Sequence, residues 1–406
     1  MDSIITAAAR ALAGGDPLGA LNRVALRDDA PALALRGIAM AQLGDFTRAR
    51  TLVRQAARAF GPRASIARAR CQVAEAEIAL VSRDLGWPAA ALDAAQHVLA
   101  SHGDLVNAAH ARYLIARHHV LTGQLGDAER ALAGIDPSPL PPALAAAHAL
   151  VSAGIAMRRV QAQAAEAALR RADAAARQAG IPALMAEVAQ AVETLRAPVA
   201  RLVSREAERM LRLADVEALF ASPALVVDAC RMTVRHRDAV VALARRPILF
   251  VLARALAQAW PHDVPRDTLI ATAFRMRHAD DTHRARLRVE IGRLRQALGR
   301  LAGIRATPHG FMLVPHAGQD VAVIVHPVEL AHAPVLACLA DGQSWSSSAL
   351  ALALGTSQRT VQRALDALAA GGQVQPVGQG RARRWMTPPV GGFATALLLP
   401  APLPGA

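Results

Sequence analysis

Apolar residues in the N-terminal half of the chain recur at helical spacing and are interrupted by short Gly-rich pauses. The stretch 32–60 pauses at Gly44, and similar pauses lie near Gly14, Gly86 and Gly123. The pauses are roughly 30 to 42 residues apart, a period typical of α-solenoids, in which helical pairs stack because one pair alone cannot bury its apolar stripe. The pattern therefore predicts stacked helical pairs, and a plain helical bundle is the alternative.

The helical pattern continues beyond a proline-rich interruption. Prolines in 135–142 predict a loop, because proline lacks the amide proton that a continuing helix needs. Further helices are predicted over 143–180 and 182–195, and residues 201–222 favour one connecting helix.

Beyond residue 222 the pattern changes. β-branched residues alternate with others in 224–236 and predict short strands. An amphipathic helix is predicted after Pro247, and a shorter one from Pro265, a residue suited to the first turn of a helix.

The segment HRARLRVEIGRLRQALGRL, residues 283–301, predicts a long helix with one apolar side. Asp280 and Asp281 are its candidate N-caps. Its apolar residues follow helical spacing: Leu287, Ile291, Leu294, Leu298 and Leu301. The two extended runs on either side of His309 predict a β-hairpin after this helix.

The positive charge of the chain is concentrated in the same half. The formal net charge is +14; residues 201–406 carry 25 arginines against 15 acidic residues, whereas residues 1–200 carry 21 against 17. A basic excess on one part of a chain indicates a polyanionic partner, either a nucleic acid or a membrane surface.

Short strands, two helices, a long basic helix and a hairpin, in this order, resemble a winged-helix domain of the OmpR/PhoB type over residues 223–315. VEIGRLRQAL (289–298) is similar to the recognition helix of that family, and IRATPHGFMLVP (304–315) to its wing. Such a helix enters the major groove of DNA, where arginine reaches guanine or phosphate, and the wing lies near phosphate or the minor groove. The DNA contacts that the resemblance implies are Arg286, Arg288, Glu290, Arg293, Arg305, Thr307 and His309. Glu290 would accept from a cytosine amino group or pair with Arg286 or Arg293.

A second helix-turn-helix pattern occupies residues 333–389. One helix ends near residue 341, a short helix follows the serines at 346–348, and a third is capped by Thr356 or Ser357. Val361, Leu365 and Leu368 are predicted to face inward, and a Gly-rich turn with RARRW predicts a second hairpin.

This second module resembles the winged helices of bacterial repressors of the MarR, DeoR and IclR groups, chiefly in LALALGTSQRTVQRALDAL (350–368). The DNA contacts that the resemblance implies are Ser357, Gln358, Arg359, Thr360, Gln362, Arg363, Arg381, Arg383 and Arg384. A winged helix that docks protein is the alternative.

The helical pairs of the N-terminal half resemble tetratricopeptide repeats, in the Leu-Gly turn at 43–44 and the Ala- and Arg-rich helix that follows it at 47–56. The resemblance implies a curved surface that binds a peptide, a partner domain or a second copy of the chain.

The cysteines and the hydropathy of the chain argue against disulfide-rich, zinc-finger, membrane and secreted proteins. Cys71, Cys230 and Cys338 are far apart and form no CxxC pair, which argues against a disulfide framework and a zinc finger. The uncharged stretch 386–406 is interrupted by prolines and glycines, unlike a membrane helix, and the N-terminus does not fit a secretory signal. We therefore expect reduced thiols in a bacterial cytoplasmic, nucleoid-associated protein.

Catalytic motifs are not found. HRD at 236–238 is typical of a kinase catalytic loop but lacks the downstream motifs, and no GxSxG, P-loop or HExxH occurs. We expect no enzyme activity, metal or cofactor.

The expected fold class is mainly α, with an N-terminal tetratricopeptide-like α-solenoid followed by two α+β winged-helix domains. The predicted segments are a helical domain (1–200), a connecting helix (201–222), the OmpR/PhoB-type winged helix (223–315), a hinge (316–332), the second winged helix (333–389) and a Pro-rich tail (390–406).

The expected function is sequence-specific regulation of transcription. Two winged helices would read adjacent double-stranded DNA, and the helical domain would oligomerise or bind a partner or signal, without a membrane. The alternative is a protein-interaction scaffold.

Overall fold

The structure is a computed structural model of the chain. It describes residues 2–82, 89–122, 124–136, 140–203, 208–274, 280–316, 320–327, 332–339, 345–354, 356–378, 380 and 383–387. Of these described residues, 65% are in helices and 13% in strands, so the fold is mainly α with a few small sheets, as predicted. The chain divides into two compact units, which we call the helical unit (residues 2–159 and 163–195) and the mixed unit (160–162 and 196–387).

The helical unit is built from consecutive helices. They are α1 (Ser3–Ala13), α2 (Pro17–Val24), α3 (Ala30–Gln42), α4 (Phe46–Ala59), α5 (Ser65–Val81), α6 (Ala89–Ser101), α7 (Leu105–Leu121), α8 (Leu125–Ala133), α9 (Pro142–Arg158), α10 (Ala162–Ala179) and α11 (Pro182–Arg196). Aspartate side chains cap several of them by accepting backbone N–H bonds: Asp2, Asp16, Asp29, Asp45 and Asp104.

Neighbouring helices pack in sequence, and α1, α3, α5, α7 and α9 also contact one another in succession. The chain reverses between α3 and α4 at Gly44, whose φ of +90° suits glycine. Gly37 lets these two helices approach closely, since a Cβ there would lie 2.6 Å from the Val53 side chain. The predicted pauses at Gly14 and Gly44 do separate helices, whereas Gly86 and Gly123 lie outside the described residues.

The mixed unit alternates short strands with helices. Its strands are β1 (Ala200–Val203), β2 (Glu208–Leu211), β3 (Leu225–Asp228), β4 (Thr233–His236), β5 (Ala239–Ala242), β6 (Val264–Pro265), β7 (Ala302–Ala306), β8 (Gly310–Pro315), β9 (Val321–Val325), β10 (Gln375–Val377) and β11 (Arg384–Met386). Its helices are α12 (Leu213–Ala221), α13 (Pro247–Ala259), α14 (Arg266–Phe274), α15 (Asp281–Leu298), α16 (Ala333–Leu339), α17 (Ser347–Leu354) and α18 (Gln358–Ala370).

Two of the three sheets form hairpins beside helices. Strand β8 pairs antiparallel with both β7 and β6, and β10 pairs antiparallel with β11. Most elements predicted for 224–315 are found in the predicted order: strands, three helices and a hairpin whose strands end and begin on either side of residues 307–309. The predicted start of the second helix at Pro265 is wrong, because Pro265 lies in β6 and pairs with Gly310, and α14 begins at Arg266.

The third sheet corrects two of the sequence-based expectations. Its order is β2-β1-β9-β3-β4-β5, and the β3–β9 pair is parallel. The predicted connecting helix over 201–222 is wrong in its first half, which forms the β1–β2 hairpin before α12 begins at Leu213. The predicted hinge over 316–332 contains β9, where Val323 pairs with both Val203 and Val227. In the first segment a strand partner that is distant in sequence overrides local helix preference, and in the second segment distant partners place a strand where a hinge was expected.

One apolar core serves both helix-and-hairpin modules of the mixed unit. The same cluster of buried residues includes Leu252 of α13, Leu294 of α15, Leu365 of α18 and Trp385 of β11. On α16 the buried Cys338 thiol lies 3.8 Å from the backbone oxygen of Ala244. Residues 223–315 and the described part of 333–387 therefore contribute side chains to one buried cluster.

Candidate nucleic-acid interface

Helix α15 turns its basic side to solvent because its other side is held in the core. Leu287, Ile291 and Leu294 are each at most 1% exposed, which confirms the predicted apolar stripe. The helix begins at the predicted cap: the Asp280 carboxylate accepts a hydrogen bond from the backbone N–H of His283 at 2.8 Å. That bond holds the pKa of Asp280 below its ordinary value.

The predicted contact residues of α15 differ in how much they are already engaged. Arg293 Nη1 donates to Glu290 Oε1 at 2.7 Å, and the Glu290 side chain is only 12% exposed. Arg286 stacks on Phe274, 4.5 Å above the ring centre. Arg288 is exposed and makes no ion pair with any residue that the structure describes. Of the two roles expected for Glu290, the geometry favours pairing with Arg293.

The line of α15 that lies furthest from the core carries no charged side chain, and its positions 285 and 292 are small. Helical geometry places Ala285, Val289, Gly292 and Gln296 on that line, and all four are exposed. Val289 is 53% exposed, and a Cβ at Gly292 would meet nothing within 4 Å. A partner surface can therefore approach the helix backbone closely, with arginines on both flanks.

The hairpin that follows α15 has a braced tip. Arg266, from the start of α14, donates from Nη1 to the Pro308 oxygen at 2.8 Å and from Nη2 to the Thr307 oxygen at 2.9 Å. The Thr307 hydroxyl donates to Asp263 and accepts from the Gly310 N–H at 2.8 Å. Its hydroxyl is thus used within the turn, where Thr307 braces the hairpin, and the predicted DNA contact of Thr307 stays a prediction.

The other two predicted wing residues point outward. His309 is exposed at the tip, and Arg305 is exposed on β7, where its Nη2 lies 4.0 Å from Met312 Sδ. Both side chains lie on the same hairpin as the braced turn, so the hairpin presents them in a defined position.

Helix α18 repeats this arrangement in the second module. Val361, Leu365 and Leu368 are buried, as predicted. Arg359 and Arg363 are exposed one turn apart, and neither makes an ion pair with a residue in the described part of the chain.

The neutral residues predicted as base contacts on α18 are used to build the helix and its turn. Ser357 is the N-cap, and its Oγ lies 3.1 Å from the Thr360 N–H and 2.8 Å from the Thr360 hydroxyl. Gln358 donates to Ser347 of α17 at 3.0 Å, and Gln362 to an aspartate one turn on. Ser357, Gln358 and Thr360 remain exposed and Gln362 is half-buried, so their polar groups are held in place beside the two arginines.

The second hairpin ends in arginines beside a buried tryptophan. Trp385 is 1% exposed, and the guanidinium of Arg383 lies 4.3 Å from its ring centre. Arg384 is exposed and pairs in the β-ladder with Val377. Arg381, the third predicted wing arginine, lies outside the described residues.

Sequence reasoning missed the residues that brace the first hairpin. Arg266 and Asp263 are more than 40 positions before the turn that they hold. Position 310 also requires glycine, because a Cβ there would lie 1.8 Å from the Val264 oxygen. The Pro-His-Gly turn itself was the available signal, but its partners depend on the β6–β8 pairing.

Comparisons of the chain with protein-family models, curated proteins and solved structures found no match. Among the described residues, no helix is long and apolar enough to cross a membrane. Nor does the described part of the chain bring together three or more His, Cys, Asp or Glu side chains in a group that would hold a metal ion.

Proposed function

We propose that this protein is a sequence-specific, DNA-binding regulator of transcription with two tandem winged helices. Residues 223–315 form a winged helix of the OmpR/PhoB type, and residues 333–389 a second one like those of bacterial repressors. In each module the last helix before the hairpin, α15 or α18, enters a major groove, and the hairpin contacts phosphate or the minor groove.

One observation carries the proposal. In each module the last helix before the hairpin carries at least one exposed arginine without a carboxylate partner among the described residues: Arg288 on α15, and Arg359 and Arg363 on α18. Each helix is followed by a hairpin with exposed arginine, Arg305 in the first module and Arg384 in the second. Unpaired guanidinium groups on a helix and its adjacent hairpin suit phosphate and guanine acceptors.

The shared core refines how two modules would read DNA. The two modules share one cluster of buried side chains, and the Cys338 thiol of α16 lies 3.8 Å from the Ala244 oxygen, which supports a fixed placement of α15 relative to α18. We therefore expect the two DNA contact regions to have one fixed spacing. A flexible tether would tolerate several spacings.

For the helical unit we propose a tetratricopeptide-like solenoid. The support is the succession of contacts from α1 through α3, α5 and α7 to α9, which gives one set of helices a continuous inner side. In the regulator this unit would oligomerise or receive a partner or signal.

A scaffold role is the second candidate, and one feature favours it. The outermost line of α15 is small and uncharged at Val289 and Gly292, which suits packing against a protein helix as well as entry into a groove. In that case the hairpin arginines would face acidic protein surfaces.

The deciding experiment is fluorescence anisotropy of the full-length protein with labelled duplexes across a salt series. One duplex carries the region upstream of the protein's own gene and the other a random sequence of equal length. We expect tighter binding to the upstream duplex and a steep fall of affinity with salt, since bound arginines release condensed counterions. Footprinting should then show two unequal contact regions at fixed spacing.

Weak binding to both duplexes at low salt would refute the DNA proposal and favour the scaffold. Salt-steep binding with equal affinity for both duplexes would retain DNA as the partner but remove sequence specificity for that region.

A further inference from the structure

The helical unit contains a cavity of about 370 Å³ between α1, α3, α5 and α7. Ligand pockets for small molecules have volumes of about 300 to 1,000 Å³ and mostly apolar walls. The walls here are formed mainly by aliphatic side chains, including Ile5, Leu12, Leu35, Ile38, Val73 and Ile78. The cavity is therefore of a size and character that suits an organic molecule.

Alanines create the space. Ala34 on α3 and Ala67 and Ala74 on α5 line the cavity and are only partly buried. Leucine or phenylalanine at these positions would extend into the cavity, which would then pack like an ordinary helical interface.

Charges at the margin of the cavity are paired with each other. Asp2 and Arg27 form an ion pair, and Arg27 Nε lies 2.6 Å from Asp29. Arg70, further along the cavity, lies 2.7 Å from Asp104. Hydrogen bonding from Arg27 lowers the pKa of Asp2 from its ordinary value. These guanidinium groups are therefore already neutralised and offer little to an ionic ligand.

Polar groups also occur in the buried part of the wall. Glu77 is 4% exposed, His110 is 3% exposed, and His110 Nε2 lies 3.3 Å from Glu77 Oε1. Burial raises the pKa of the neighbouring Cys71 thiol to about 12, so this thiol is uncharged at neutral pH. One polar pair in an apolar wall is the arrangement that orients a mostly apolar ligand through a hydrogen bond.

We propose that this cavity binds a neutral, mostly apolar small molecule that carries a hydrogen-bonding group toward Glu77 and His110. An extended peptide fits less well, because its backbone amides would be desolvated against aliphatic walls without partners. An anionic ligand fits less well because the nearby arginines are already paired. The site is independent of the proposed DNA binding, and the test below does not involve DNA.

The test uses two matched fluorescent probes with the full-length protein. N-phenyl-1-naphthylamine is neutral, and 8-anilino-1-naphthalenesulfonate adds a sulfonate to the same aromatic framework. We expect saturable binding of the neutral probe at one site per chain, and a rise in the melting temperature of the protein with probe concentration.

Two phenylalanine substitutions locate the binding. Ala74→Phe fills the cavity and should lower the affinity of the protein for the neutral probe by about tenfold or more. Ala164→Phe makes the same change at an exposed position of α10 and should bind like the wild type. We define the cavity-dependent signal as the fluorescence of the wild type minus that of Ala74→Phe at the same probe concentration. This signal should be smaller for the sulfonate probe than for the neutral probe.

Circular dichroism and the melting temperature show whether the Ala74→Phe variant is folded. If it is not folded, Ala34→Leu replaces it as a variant that fills the cavity with a smaller side chain. Absence of saturable binding by the neutral probe would overturn the proposal. So would equal binding by a folded filling variant and the wild type. A larger cavity-dependent signal from the sulfonate probe would overturn the neutral ligand class.

Discussion

Replacing Arg359 and Arg363 together by glutamine tests the proposed interface most directly. Both guanidinium groups are exposed on α18 and lack an ion-pair partner among the described residues. Val361 and Leu365 hold the opposite side of the helix in the core, at 1% and 0% exposure. The double substitution therefore removes two positive charges while the helix and its packing stay in place.

The size of the effect follows from counterion release. Each phosphate contact contributes about 0.9 to the slope of log affinity against log salt, so two lost contacts reduce the slope by about 1.8. Between about 50 and 200 mM salt, the ratio of affinities at the two concentrations should then shrink by about tenfold. If one arginine instead reads guanine, its loss costs about 1–3 kcal/mol, and only on sequences that carry that base.

The assay is anisotropy on a random duplex and on the preferred duplex, each across the salt series. The matched control is Arg170→Gln with Arg177→Gln on α10 of the helical unit, which removes the same charge from exposed arginines beside Glu166 and Asp173. An unchanged slope in the α18 variant would refute its placement against DNA. An equal change in the control would show that net charge, and not this helix, produces the effect.

Three further predictions concern two residues that position the proposed site and one half-buried carboxyl group. Gly310→Ala places a Cβ 1.8 Å from the Val264 oxygen, so β6 and β8 must separate; we expect a lower melting temperature and weaker DNA binding, and a variant indistinguishable from wild type in both would contradict the hairpin geometry. Leu365→Ala empties a fully buried position of α18 and should lower the free energy of unfolding of the mixed unit by about 2–5 kcal/mol in urea titrations; a loss below about 1 kcal/mol would contradict the packing. Burial raises the pKa of Glu187 from 4.5 to about 7, against the opposing charge of Arg117. The folded state then keeps a proton that the unfolded state releases, so the contribution of Glu187 to stability is greatest below pH 4.5 and falls as pH rises toward 7, by at most about 3 kcal/mol. Glu187→Gln should flatten this dependence in unfolding titrations at several pH values, and an unchanged dependence would assign it to other groups.

Local sequence patterns were sufficient to predict an element where residues close in sequence stabilise it. The apolar stripe of α15 and its Asp280 cap lie within one helix, so a single segment holds the information. The same is true of the β7–β8 hairpin, whose strands flank a three-residue turn. The serine cap and buried face of α18 were likewise predictable.

Local sequence patterns did not predict a strand where its partner strand is distant in sequence. The segments 200–203 and 208–211 contain residues that favour helix. They form strands because β1 pairs with β9, more than 100 residues later, and β2 pairs with β1. The same strand turned a predicted hinge into the centre of a sheet. β-ladder energy depends on the partner strand, which a local window does not contain.

The sequence by itself determined the mainly helical class, the order of helices and hairpins in residues 224–315, and the arginines that these elements carry. Tertiary structure alone decided which of those arginines are engaged. Arg293 is paired with Glu290 and Arg286 lies on Phe274, whereas Arg288 lacks an ion-pair partner in the described part of the chain. It also decided that two modules share one core, and that alanines from separate helices enclose a cavity. The physical reason is that spacing along one chain segment specifies which side of an element is apolar, while burial, charge pairing and empty volume depend on which other segment that side meets.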